Sequence, residues 1–312
     1  MKRAFVIAVW AGMAWSASAE LDRVYWGGGS WVTANINGQA YQSLAQESAQ
    51  AGPTLIVMGS LADGSGTKQV ISRDWGYTWA ENPINAVPYT EMATRHNLAN
   101  QFYGLRPSGQ IDLVYFTGSS WSIYGSYTGS TLYKAISADY ANNSFLYGVR
   151  ADGTGVDRLT ISGSSIVFNY FVGAYDFREI ETMTGVGNSF YGARADGGGL
   201  ERVYWTGSAF ASQSLVSGDY KALAADAYWS GNGTGLMLYG ARADGTGVDQ
   251  IRSDDWGASW FIDFAGLTTK DYDELATMHG VPNQFYGSVI PEPATLALLG
   301  LGTLLWLSRR RR

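Results

Sequence analysis

The hydrophobic positions of this 312-residue chain fall in short alternating runs that are punctuated by glycine. One series ends in an apolar or aromatic residue followed by glycine, and the glycines are Gly59, Gly104, Gly148, Gly192, Gly240 and Gly287. Their spacings of 45, 44, 44, 48 and 47 residues are typical of a repeat array or a propeller. Short alternating runs between turn residues predict strands joined by hairpins, with no long amphipathic helix in the mature chain.

Two further series repeat with the same period. One precedes each glycine: YQSLA (41–45), YTEMA (89–93), YKAIS (133–137), FREIE (177–181), YKALA (220–224) and YDELA (272–276). The other follows it, beginning with DRVYW (22–26) and ending with DQIRS (249–253). The chain therefore opens with the third and fourth elements of a unit (22–36) and finishes with the first and second (272–289). Pairing these halves would close a ring and remove open sheet edges.

This arrangement predicts an all-β fold, a six-bladed β-propeller with a two-plus-two strand closure over residues 20–290. A β-sandwich array or a solenoid is the alternative, but neither would gain from matched half-units at its ends. The two ends of the chain predict processing segments outside this domain.

Residues 1–19 have the composition of a secretory signal peptide. Lys2 and Arg3 precede an apolar run at 4–15, and the small residues that follow suit cleavage after Ala19. The run is too short for a buried helix to be the better interpretation.

The C-terminal segment 291–312 has three parts in order: Pro291-Glu292-Pro293, the apolar stretch 294–307, and the cluster Arg309, Arg310, Arg311 and Arg312. It resembles the PEP-CTERM sorting tag of exopolysaccharide-making Gram-negative bacteria. The apolar stretch predicts a single helix of about 21 Å, short for a bilayer core of about 30 Å. The arginines would stay cytoplasmic and hold the chain briefly in the inner membrane, with everything before Pro291 outside. The resemblance implies cleavage near Pro291–Pro293 by an exosortase-type membrane protease after export through the Sec machinery.

The net charge and the absence of cysteine limit the classes of partner and of chemistry that are open to this chain. The whole chain carries a net charge of −6, and residues 20–290 retain 15 basic and 26 acidic side chains, a net charge of −11. An acidic exported domain argues against a nucleic-acid partner. The absence of cysteine excludes disulfides, thiol catalysis and cysteine-bound metal.

Two segments share the pattern Ser-x-Asp-x-Gly-x-Ser/Thr-Trp, SRDWGYTW (72–79) and SDDWGASW (253–260). They resemble the Asp-box found at hairpin turns of sialidases and other β-propellers. The aspartates can accept backbone N–H bonds, the glycines can take positive φ, and the tryptophans can bury beside the hairpin. The structural residues are Asp74, Gly76, Trp79, Asp255, Gly257 and Trp260. These roles build the fold, so the motif indicates architecture and no catalytic residue.

A repeated arginine, an acid and nearby aromatic residues form the candidate glycan-binding set. Its members are Arg150, Asp157, Arg194, Glu201, Trp205, Arg242 and Asp249. Arginine and carboxylate can bind vicinal hydroxyls, and aromatic faces stack on sugars. The layout resembles the six-bladed fucose-binding lectins, although the arginine-to-acid spacing of seven is shorter than theirs. Cross-strand ion pairs with blade-packing aromatics explain the same residues.

These patterns leave two hypotheses: a non-enzymatic surface or matrix propeller that binds glycan, such as exopolysaccharide, or serves a structural role, and a sialidase-like hydrolase or lyase with a single axial site. No unique acidic cluster that would favour the enzyme is recognisable, and no cofactor or metal site is predicted. Ca²⁺ binding and ordinary hairpin chemistry both stay open for the Asp-Gly turns at 63–68, 152–157, 196–201 and 244–249.

Overall fold

The structure is a computed structural model that describes residues 19–46, 53–95, 98–127, 129–140, 142, 144–230, 233–277 and 283–290. Regular secondary structure in these residues is entirely β, as the sequence predicts. Nothing helical in them is long and apolar enough to span a membrane. The predicted signal peptide before Ala19 and the predicted helix at 294–307 lie outside the described residues.

The described residues form 24 strands. The first twelve are β1 (Glu20–Trp26), β2 (Trp31–Asn37), β3 (Tyr41–Gln46), β4 (Leu55–Leu61), β5 (Thr67–Ser72), β6 (Ala80–Asn85), β7 (Glu91–Thr94), β8 (Gln101–Leu105), β9 (Ile111–Phe116), β10 (Trp121–Tyr127), β11 (Tyr133–Ala138) and β12 (Phe145–Arg150). The others are β13 (Val156–Ser162), β14 (Ser165–Gly173), β15 (Phe177–Glu181), β16 (Ser189–Arg194), β17 (Leu200–Trp205), β18 (Phe210–Val216), β19 (Tyr220–Ser230), β20 (Gly233–Arg242), β21 (Val248–Ser253), β22 (Phe261–Phe264), β23 (Glu274–Thr277) and β24 (Gln284–Val289).

Within the described residues these strands form five sheets, four with four strands and one with eight. The eight-stranded sheet contains two successive antiparallel meanders, β7–β10 and β11–β14. Their outer strands meet where Ser126 and Tyr127 of β10 pair in parallel with Ser165 and Ile166 of β14. The sequence does not predict this junction, which forms between two exposed edges.

The first strands of the meanders are arranged in a ring. Contacts run from β3 to β7, β11, β15, β19 and β23, and then from β23 back to β3. The later strands of each meander follow outward in order. This is a β-propeller-like arrangement, in which radial repetition leaves only short, protected inner edges.

The two ends of the ring meet in one sheet with the order β2-β1-β24-β23. β1 pairs antiparallel with β24 from Glu20↔Val289 to Tyr25↔Gln284. The predicted pairing of the N-terminal half-unit with the C-terminal half-unit is thereby confirmed.

The repeated glycines have a packing reason. In each meander the glycine of the second strand lies against the ring of the first aromatic residue, at positions such as Gly148 beneath Tyr133. A Cβ atom built on Gly148 would lie 2.6 Å from Cδ1 of Tyr133, well inside van der Waals contact. The same close approach occurs at Gly59 with Tyr41, Gly104 with Tyr89, Gly192 with Phe177, Gly240 with Tyr220, and Gly287 with Tyr272. A residue with a Cβ atom at any of these positions would force the aromatic ring to shift.

The core lies between neighbouring sheets. Five of these glycines follow a fully buried tyrosine, while Gly59 follows Met58, and four of the tyrosines meet a ring from the next meander, as Tyr147 meets Phe190 and Tyr239 meets Phe285, each with ring centroids 4.9 Å apart. Each interface therefore has its own apolar cluster, which is how a chain without disulfides stabilises a ring of thin sheets.

Candidate functional site

The predicted arginine and acid pairs are cross-strand ion pairs. Arg150 donates from Nε and Nη2 to the two oxygens of Asp157, at 3.0 and 2.8 Å. Arg242 does the same to Asp249, at 2.9 and 2.7 Å. Both aspartates are almost wholly buried, whereas both arginines remain partly exposed. The carboxylates of both aspartates are therefore bound to the arginines of their own sheet.

The sequence does not reveal the third member of each pair, a buried tyrosine of the first strand. Tyr133 donates its hydroxyl to Asp157 at 3.0 Å, and Tyr220 donates to Asp249 at 3.0 Å. Burial and the adjoining carboxylates raise the pKa of both tyrosines far above its ordinary value. The signal that could have identified them was present, because the first-strand series begins with tyrosine in five of its six copies.

Arg194 departs from this pattern. Its first-strand aromatic is Phe177, which has no hydroxyl, and its cross-strand acid is Glu201 at 3.5 Å. Arg194 instead forms a bidentate pair with the exposed Asp196, at 3.0 and 2.6 Å. This arginine is the most exposed of the three predicted arginines.

The structure does not bring Trp205 together with Arg194 and Glu201. Trp205 lies four residues beyond Glu201 on β17, about 13 Å along an extended strand. Its ring packs on Phe210 at 5.2 Å and on Tyr170 of the preceding meander at 6.4 Å. It belongs to an aromatic contact between sheets.

A cavity of about 430 Å³ opens beside the Arg242–Asp249 pair. Its lining includes Asp219, Tyr220, Arg242, Asp244, Asp249 and Ile262. Arg242 uses three of its five N–H groups, two on Asp249 and one on Thr246, so two make no hydrogen bond among the described residues. Asp244 binds Thr246 through one oxygen only, and Ile262 is 40% exposed.

The two Asp-box-like turns make the hydrogen bonds predicted for them. The first aspartate, Asp74, accepts from the Thr78 N–H at 2.9 Å and from its hydroxyl at 2.6 Å, and these bonds lower the pKa of Asp74 to about 2. Asp255 accepts the equivalent bonds from Ser259, and its pKa is also about 2. Gly76 and Gly257 have φ values of 86° and 89°.

The tryptophans of these turns also contact the neighbouring sheet. Trp79 meets Tyr286 with ring centroids 5.8 Å apart, and Trp260 meets Tyr191 at 5.5 Å. Both tyrosines belong to the neighbouring sheet, so the turns join sheets. Arg23 of β1 reinforces this by donating to the Trp75 carbonyl at 2.8 Å.

The Asp-Gly turns satisfy their aspartates internally. Asp152 accepts from the Thr154 N–H at 3.0 Å, and Asp63 accepts from Ser65 at 2.9 Å. The following glycines have positive φ, for example 73° at Gly153. These contacts are those of hairpin turns, and Ca²⁺ binding there stays an untested alternative.

An acidic cluster that the sequence analysis missed lies at the centre of the ring. Glu91, Glu179 and Glu274 each offer a carboxylate oxygen, and these oxygens lie within 4.8 Å of one another. They occupy the third position of alternate members of the first-strand series, on β7, β15 and β23. The three members between them carry Ser43, Ala135 and Ala222 at that position. We call the three glutamates the axial cluster.

Two members of the axial cluster, Glu91 and Glu179, line a cavity of about 20 Å³ that residues of all six first strands surround. Burial raises the pKa of Glu91, Glu179 and Glu274 well above the ordinary glutamate value, and their mutual repulsion adds to the effect. Glu181 lines the same cavity, and burial raises its pKa to about 8. The centre of the ring thus concentrates acidic groups in a space for about one water molecule.

Comparison with known proteins identifies the C-terminal segment. The chain matches the PEP-CTERM protein-sorting motif over residues 289–312. It carries a PEP-CTERM sorting signal. The signal implies export and processing by an exosortase, a membrane protein, on the way to the cell surface. A search of curated proteins finds no match.

Solved structures share the fold at low identity. The SapL1 lectin in complex with alpha methyl fucoside is 15% identical, with a TM-score of 0.57 over 79% of this chain and 87% of its own. A variant of the Aleuria aurantia lectin with alpha-methyl-L-fucoside is 12% identical, with a TM-score of 0.53 over 82% and 99%. A GH74 enzyme of Niastella koreensis is 19% identical, with a TM-score of 0.50 over 88% and 42%. These likenesses concern the fold, and lectins and an enzyme share it.

Proposed function

We propose that residues 20–290 form an exported six-bladed β-propeller that binds carbohydrate and catalyses no reaction. The observation that carries this proposal is the cavity beside Arg242, where predicted glycan-binding residues line a space of ligand size. Its 430 Å³ lies within the range of about 300–1,000 Å³ that small-molecule pockets occupy.

The six-bladed count rests on the ring of first strands. Six such strands contact one another in a closed cycle, and each begins a run of four strands once the closing sheet is included. We interpret the eight-stranded sheet as two neighbouring blades, because its halves join through only two residues of each outer strand.

The cavity has the chemistry to hold a sugar. Arg242 offers two N–H donors, and Asp219 and Asp244 offer carboxylate oxygens that the Arg178 and Thr246 contacts leave partly free. Ile262 supplies an exposed apolar surface for the C–H face of a ring. Donors and acceptors on one side with an apolar surface on the other suit a monosaccharide with vicinal hydroxyls.

The axial cluster is the feature that would favour a glycan hydrolase. A retaining or inverting hydrolase needs two carboxylates on either side of a glycosidic bond. The cavity that Glu91 and Glu179 line has a volume of about 20 Å³, far too small for a sugar ring. This volume favours binding over hydrolysis.

We predict that Ile262→Ser weakens glycan binding by about tenfold, the effect of about 1.4 kcal/mol of lost apolar contact. Ile262 is the better test than Arg242, because removing Arg242 would leave Asp249 buried and unpaired. The measurement is titration of the exported protein with the best glycan from an array, with thermal unfolding alongside.

Phe168→Ser is the matched control, since Phe168 is a similarly exposed apolar residue, 50% against 40% for Ile262, at the equivalent position of β14. It should leave affinity unchanged. An equal loss in both variants, an absence of any glycan ligand, or release of hydrolysed sugar would contradict the proposal.

We further propose that the sorting signal holds the precursor in the inner membrane through 294–307 after Sec export, with Arg309 to Arg312 cytoplasmic. The exosortase would then cut near Pro291–Pro293 and release a mature form at the cell surface or outside the cell. Mass spectrometry of the exported protein should find a C-terminus near these prolines, and Glu292→Ala should trap the precursor with its propeller folded. An extracellular protein that still ends at Arg312 would contradict this route.

A further inference from the structure

The axial cluster has no role in the proposed carbohydrate binding. Its three glutamates come from β7, β15 and β23, so the ring itself brings together residues that are far apart in the chain. In the described part of the structure, no lysine or arginine forms an ion pair with Glu91, Glu179 or Glu274. We propose that these three carboxylates bind one hard divalent cation, of the size of Ca²⁺, at the centre of the ring.

The distances suit such an ion. Oxygen ligands lie about 2.3–2.6 Å from Ca²⁺, so oxygens on opposite sides of one ion are about 4.6–5.2 Å apart. The three carboxylate oxygens lie within 4.8 Å of one another, inside that limit. The 20 Å³ cavity, which Glu91 and Glu179 line, has room for a particle the size of one water molecule, and so for one cation.

A second observation points to a ligand at the same place. Gln46 of β3 lines this cavity, is 9% exposed, and its Oε1 atom has no hydrogen-bond donor among the described residues. Ser43, which is wholly buried, occupies the register position of the three glutamates on the same strand, and its Oγ also has no partner there. A buried carbonyl oxygen without a donor costs about 1–3 kcal/mol, and a cation in the cavity would satisfy it.

The ligand atoms determine the class of metal. The proposed ligands are carboxylate oxygens, and the cavity lining adds amide and hydroxyl oxygens; the one sulfur atom among its described residues is the thioether of Met92, a soft ligand that hard cations do not prefer. Oxygen-only sites favour Ca²⁺, Mg²⁺ or Mn²⁺ over zinc or copper. Three carboxylates also carry enough negative charge to balance a divalent ion in a buried site, which a single carboxylate would not.

The test uses the exported protein, purified and then treated with EDTA. We expect elemental analysis before EDTA to find one equivalent of divalent metal per chain. Returning excess Ca²⁺ should raise the midpoint of thermal unfolding by about 5 °C at a hundredfold excess over the dissociation constant. In Glu179→Gln this rise should disappear, while the EDTA-treated variant should be at least as stable as the EDTA-treated parent, because one charge of the cluster is gone.

Asp152→Asn is the control, because it removes a carboxylate from an Asp-Gly turn and leaves the axial cluster intact. It should keep both the bound metal and the thermal shift. A parent protein with no bound metal and no response to Ca²⁺, Mg²⁺ or Mn²⁺ would overturn the proposal, and would leave protons as the occupants of the cluster. A shift lost in Asp152→Asn and kept in Glu179→Gln would also overturn it, by placing the ion at the turn.

Discussion

Deletion of residues 22–36 is expected to leave the chain without a cooperative unfolding transition at room temperature. The deletion removes the partner of β24 and exposes Phe285 and Tyr286, which are wholly buried in the ring. Burial of a side chain such as Val24 alone contributes about 1.5–3 kcal/mol, and each lost strand hydrogen bond about 1 kcal/mol. Together these losses approach the entire stability of a domain, about 5–15 kcal/mol. Thermal unfolding followed by near-ultraviolet circular dichroism measures the effect.

A circular permutant separates loss of closure from loss of residues. Glu20 pairs with Val289, so residues 20–37 can follow Ile290 through a short turn copied from 106–110, which joins the equivalent strands β8 and β9. This permutant should regain a cooperative transition. A deletion variant with the parent midpoint, or a permutant no more stable than the deletion, would contradict closure by these strands.

The second large effect is expected when a single methyl group is added to a repeated glycine. Gly148→Ala should lower the free energy of unfolding by about 2–3 kcal/mol, because the new Cβ would lie 2.6 Å from the Tyr133 ring. The ring is 2% exposed and its hydroxyl is bonded to Asp157, so it has little room to move away. Chemical denaturation of the two proteins gives the difference directly.

Gly29→Ala is the matched control for this substitution. Gly29 lies in an exposed turn with negative φ, and a Cβ atom there would meet nothing within 4 Å. Its effect should stay within about 0.5 kcal/mol. Equal effects at the two glycines would show that the close packing against Tyr133 is unimportant.

Much of the fold was predictable because the repeated residues meet a packing requirement that recurs in each meander. Gly148 and its five equivalents recur since an aromatic ring covers each of them, and this constraint is visible as spacing in the sequence. The long hairpin from Tyr220–Ser230 to Gly233–Arg242 explains the spacing of 48 between Gly192 and Gly240, because the extra residues lengthen two strands. The parallel junction of β10 with β14 was not predictable, since it depends on how two outer edges approach.

The sites were less predictable, for reasons of distance in the chain. Arg150 and Asp157 lie on adjacent strands, so their spacing of seven indicated a cross-strand pair. The tyrosine that completes the pair lies on the next strand inward. Its role becomes visible only by comparison with the one meander that has Phe177 in place of tyrosine. There the cross-strand acid is Glu201, and Arg194 pairs with a different acid. Glu91, Glu179 and Glu274 stand at one register position of the first-strand series, but only the closed ring shows that their carboxylates meet.

Closure of the ring by its two ends has a consequence for the timing of folding. In the proposed export, β1 is among the first strands to cross the membrane. Its partner β24 ends at Val289, where the sorting motif begins. Contacts between residues so distant in sequence form slowly. β1 and β2 therefore wait for nearly the whole chain, while the edge of β1 that β24 will cover stays open to other strands. The interval between export and closure is the period in which the protein is most exposed to proteases and to aggregation.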